Sequence, residues 1–272
     1  MVLEQAIKAQ WLEKRPFYAF FMGLVYALIG IISARLVFPG STAMMAVGFT
    51  SILLIPSLNR LLSDEENVEI REDKLSFRML LADHKDIFEI YMYLFLGIFL
   101  TFALITVFIP TETAQDMFSN QLRVAGLSGH ATFFTDSFIK ILTNNLIIML
   151  VCLLLSFFYG SGSIIFLIWN ASVWGVVFGF VAREAAQSQS GNPLYFFGLT
   201  ILPVLPHMVT EALSYLSASI TGGVISKAVI REDMFSPKFH HIITDALILL
   251  AFGLVIVFLA AVLEVHIYPM LR

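Results

Sequence analysis

Seven stretches of this chain are apolar over about twenty residues each, and no other feature limits the fold so strongly. An α-helix needs about 20 such residues to cross a hydrocarbon core roughly 30 Å thick. Inside lipid, backbone N–H and C=O groups must be satisfied within the segment, so runs of this kind become helices. Charged residues make up only 13% of the chain and hydrophobic residues 58%, whereas a soluble domain carries about 25% charged residues. The sequence therefore predicts an all-α, polytopic transmembrane bundle, one integral membrane domain over 1–272 whose first partner is the lipid bilayer.

The spans fall at 17–37, 41–57, 90–109, 138–158, 163–182, 206–227 and 243–263. Three of them form an N-terminal group over 17–109. No small-residue cleavage motif follows the first run, so it is expected to stay as a span. Ala19, Gly23, Ala27, Gly30 and Ala34 make a stripe of small residues along it, the kind of face that lets helix backbones approach closely in lipid. Before it, Leu3, Ala6, Ile7 and Trp11 recur at helical spacing and suggest a short interfacial helix ended by Pro16.

The second span is expected to end near Pro56. Residues 58–89 are the largest polar segment, and Phe77, Leu80, Leu81, Ile87, Phe88 and Tyr91 share one helical face at its end. A second loop, 110–136, contains GLSGH. The YGSGS turn at 159–163 is short enough to imply an antiparallel hairpin of the fourth and fifth spans. The fifth span carries Gly175 and Gly179 in a GxxxG pattern. Ser236-Pro237 has the form of an N-cap and first helical residue.

The run 194–228 is too long for one crossing. Thirty-five residues of straight helix reach roughly 50 Å. Pro203 and Pro206 are expected to break it, leaving a short segment at 194–204 before the sixth span. With seven crossings and the N-terminus inside, eleven of the sixteen basic residues lie inside, and Arg35, Arg123, Lys140, Arg183 and Arg272 lie outside. This bias favours a cytoplasmic N-terminus in a cell membrane.

Polar groups within membrane spans are costly and mark interior or functional positions. Asn144 and Asn145 lie in the fourth span, Asn170 in the fifth, and His207 and Glu211 in the sixth. His207 and Glu211 are four residues apart and share a helix face, which Ser214, Ala218, Thr221 and Gly222 continue. Asn144 or Asn145, together with Asn170, His207 and Glu211, is expected to form one cluster. One reading is a hydrogen-bonded clasp between spans; the other is a site for an ion, a proton or a small solute.

Two ligands at helical spacing suggest a metal, but no third is evident, and neither a metal nor a cofactor is expected. HxxxE lacks the second histidine of the zinc-protease HExxH motif, and no nucleophile context is present, so the chain is not expected to be an enzyme. His240-His241 with Asp245 is read as solvated, Arg183-Glu184 as a surface pair, and Glu264 and His266 as headgroup residues. No basic cluster points to nucleic acid. Cys152 stands alone in an apolar run and is read as core or lipid-facing.

Asn144-Asn145, the YGSG turn at 159–162, Asn170 followed by Gly175, and LPHMVTE at 205–211 resemble the stage II sporulation protein M family. The stretch DHKDIFEIYMYLFLG at 83–97 resembles archaeal-type members. Family members carry Pro-His-Gly and a glutamate four residues after the histidine; Pro206, His207 and Glu211 match, while Met208 replaces the glycine. The family core is placed at 138–228. The resemblance implies a polytopic helical membrane protein that acts as a scaffold or complex subunit, with hydrolysis left to membrane or envelope partners. The small-residue face of the first span offers a surface for a homodimer. The residues themselves leave a transporter or channel using the Asn/His/Glu cluster as the alternative.

Overall fold

The computed structural model describes residues 12, 14–69, 85–124 and 138–267. The N-terminal interfacial helix, the positions Phe77, Leu80 and Leu81, and GLSGH lie outside these residues. The long helices are α1 (Tyr18–Val37), α2 (Thr42–Glu69) and α3 (Lys85–Phe108), then α6 (Phe138–Tyr159), α7 (Ile164–Ser188), α8 (Pro193–Arg231) and α9 (Pro237–Ile267). Two short helices, α4 (Thr111–Met117) and α5 (Ser119–Val124), follow α3. All seven long helices are long and apolar enough to cross a membrane. Large apolar side chains such as Leu36, Ile139, Phe158 and Leu202 face outward, as lipid-facing positions do. The protein is an integral membrane protein.

Several boundaries differ from the sequence reading. α2 continues through Pro56 to Glu69, so the first part of the polar segment 58–89 is helix. α3, α7 and α9 likewise extend beyond their apolar runs. Hydropathy marks only the part of a helix that lies in hydrocarbon, and the backbone keeps its own hydrogen bonds past that point.

The largest departure is α8, which runs unbroken from Pro193 to Arg231 with Pro203 and Pro206 inside it. Each proline removes one N–H, the partners of the Leu199 and Leu202 carbonyls. Both side chains face outward, on the open side of the helix. Thr210 donates to the Pro206 carbonyl at 3.0 Å. At 39 residues, α8 is about 58 Å long and overshoots its neighbours.

The packing order follows the small residues. α1 lies against α2 and α3, α3 against α7, α7 against α8, and α8 against α6 and α9. A methyl group on Gly23 would strike the Leu94 carbonyl, and one on Gly30 would strike Thr50. The small-residue stripe is thus filled within the chain, and the face assigned to a homodimer is already occupied. Gly175 and Gly179 fit against Phe99 and Ala103 in the same way.

The YGSGS turn is tight and needs Gly160 at φ 61°, in the left-handed region that glycine tolerates. Yet α6 and α7 diverge after it and scarcely touch, because α8 packs against both. The expected hairpin is splayed rather than paired. Arg183 does not pair with Glu184: it donates to the Val107 carbonyl and to Thr111 Oγ1, both at 3.1 Å, tying α7 to the end of α3. Ser236 caps α9 as read, accepting from the Phe239 amide at 3.0 Å.

Candidate functional site

The register of α6, α8 and α9 is set by close contacts. A side chain on Gly222 of α8 would collide with the Leu153 carbonyl of α6, and one on Gly253 of α9 would meet Met149 and Ser217. Thr221 donates to the Ala246 carbonyl at 3.2 Å, linking α8 to α9. Following these contacts toward the N-terminal half of α8 brings three helices together at His207 and Glu211.

His207, Glu211 and Tyr215 are spaced by four residues and lie on one face of α8. They are 2%, 6% and 0% exposed. The Tyr215 hydroxyl donates to Glu211 Oε1 at 2.6 Å and lies 3.1 Å from Asn145 Oδ1 on α6. The one hydroxyl proton is shared between the two oxygens, with the shorter contact to Glu211. Asn145 is 3% exposed. Its Nδ2 lies toward the Glu211 carboxylate, too far for a close hydrogen bond.

α9 contributes Glu264. One carboxylate oxygen of Glu264, one of Glu211 and a ring nitrogen of His207 all lie within 4.8 Å of one another. Glu264, read from the sequence as a headgroup residue, is half-buried and turns toward His207 and Glu211. The Trp174 ring of α7 meets the His207 ring at 6.3 Å and an interplanar angle of 66°, which limits where the imidazole can swing.

Of the residues singled out in the sequence, Asn145, His207 and Glu211 come together. Asn144 is exposed at the rim and donates to Asn145 Oδ1 at 3.4 Å. Asn170 donates to the Phe166 carbonyl of its own helix at 2.8 Å, rather than to Glu211. Pro203 and Pro206 lie within α8 just before the cluster and break nothing. His241 and Asp245 pair at 3.3 Å near the start of α9. Cys152 is fully buried in the core.

Tyr215 and Glu264 escaped the sequence reading. Tyr215 repeats the four-residue spacing of His207 and Glu211, a signal that was there to extend. Glu264 gave no signal beyond being an acid at the edge of an apolar run.

The family model for stage II sporulation protein M matches residues 91–269, more than half of the 272-residue chain. The chain belongs to the stage II sporulation protein M family. No curated protein and no solved structure gives a significant match. In this sporulation protein M family member the matched segment opens within α3, so α1 and α2 precede it. Asn145, His207, Glu211, Tyr215 and Glu264 all lie inside the matched segment.

Proposed function

We propose that this sporulation protein M family member is a non-enzymatic scaffold or complex subunit of the cell membrane, with its N-terminus in the cytoplasm. The observation that supports this reading is the hydrogen-bonded contact of Asn145, Tyr215 and Glu211 in the closed contact between α6 and α8. The group acts as a clasp. It fixes the splayed α6 onto α8 and leaves the outer apolar faces of α6 and α9 for lipid or for membrane and envelope partners. Interhelical polar contacts of this kind contribute about 0.6 kcal/mol each, reaching about 1–2 kcal/mol.

The experiment compares wild type with Glu211→Gln and Asn145→Ala, reading thermal melting in detergent and ion and proton flux in proteoliposomes. A scaffold shows lowered melting in both variants and no flux in any protein. Flux in the wild type, lost in variants that melt normally, would instead make the cluster a transport site.

A further inference from the structure

We propose that His207, Glu211 and Glu264 form a binding site for one divalent transition-metal ion of the zinc class. The site deepens the clasp reading and rests on it for its structural role: the ion would tie α8 to α9 as Asn145 ties α8 to α6.

The donor set carries the argument. Three potential ligand atoms, one imidazole nitrogen and two carboxylate oxygens, lie within 4.8 Å of one another. Imidazole with carboxylate suits zinc, manganese or iron, whereas calcium and magnesium sites are built from oxygen. Two ligands one helical turn apart with a third from a neighbouring segment is also how three-ligand zinc sites are assembled. Here the third comes from a separate helix, so the ion would cross-link two helices.

The surroundings match a cation. Two carboxylates at this separation repel strongly in a low-dielectric interior, and a cation between them removes that cost. Tyr215 holds Glu211 Oε1 at 2.6 Å, the kind of outer contact that orients a ligating carboxylate. Trp174 restrains the His207 ring. A second observation points to a further ligand. The Asn145 Nδ2 donor is buried beside Glu211 and makes no close hydrogen bond there, only a longer approach to the carboxylate. A water or hydroxide on the ion would supply a close acceptor and fill the fourth position that three-ligand sites leave.

The test uses the full chain, tag-free, purified in detergent. Metal content is read by mass spectrometry after stripping with a chelator and adding back zinc alone. Wild type is expected to hold about one zinc per chain and to melt higher with zinc than without. His207→Ala and Glu264→Gln should lose the metal and the zinc-dependent rise. His241→Ala, at the other histidine–carboxylate pair, should keep both. Glu264 is only partly buried, so its variant is expected to fold, as size-exclusion would check. No zinc bound by wild type, or zinc kept by both site variants, overturns the proposal and leaves a proton to balance the carboxylates. Failure of the clasp reading is separate: it shows as Tyr215→Phe melting like wild type in zinc-free protein.

Discussion

The Tyr215 hydroxyl lies 2.6 Å from Glu211 Oε1 and 3.1 Å from Asn145 Oδ1, so one phenol joins an acid on its own helix to an amide on α6. Glu211→Leu is expected to be more harmful than Glu211→Gln. The amide keeps an acceptor for Tyr215, whereas leucine leaves the buried Tyr215 hydroxyl with only its longer contact to Asn145, at about 1–3 kcal/mol. Melting in detergent checks this order; equal losses would mean that the hydrogen bond contributes nothing.

Close helix approach makes a second prediction. A methyl group at Gly222 meets the backbone of Leu153, which cannot yield as a side chain does. Gly222→Ala should cost about 1–3 kcal/mol through overpacking. Gly48 sits in α2 with open space around its Cβ position, so Gly48→Ala should match wild type or exceed it by up to about 1 kcal/mol from helix propensity. Chemical or thermal unfolding of the two variants side by side gives the comparison.

Arg183 is the third test. It donates to the Val107 carbonyl at the end of α3 and to Thr111, while Glu184 is exposed. Arg183→Ala should lower stability by about 1.5–3 kcal/mol, the range for hydrogen bonds to a charged group. Glu184→Ala should change it by less than about 0.5 kcal/mol. The reverse order, read by melting, would restore the surface-pair reading.

Orientation can be read by labelling. Cys152 is the one cysteine in the chain and is buried, so background reaction is low. In intact cells an impermeant thiol reagent should modify Gly40→Cys and spare Asp233→Cys, because the distribution of basic residues puts α1 inward at its start. The opposite pattern inverts the topology.

The sequence already showed much of this architecture, and the misses have physical causes. Apolar runs located all seven long helices because lipid demands them. His207 and Glu211 were legible because four-residue spacing puts both on one face, and Asn145 because an amide in a span needs a partner. Glu264 was hidden because its place depends on the register of α9 against α8. That register is set by Gly222, Gly253 and Thr221 touching particular atoms across helices, which periodicity along one helix does not encode. Tyr215 passed as a core aromatic, since its hydroxyl matters only once Asn145 lies opposite. Pro203 and Pro206 misled because the rule that proline ends a helix is weaker in a membrane, where helix is the cheapest backbone state.

The most direct test of the clasp is a double-mutant cycle on Tyr215→Phe and Asn145→Ala, read as unfolding free energy in detergent. Each single change is expected to destabilise, and the pair to lose less than the sum, with a coupling of about 0.6–1.7 kcal/mol. Strict additivity, with zero coupling between α6 and α8 at this contact, would contradict the clasp.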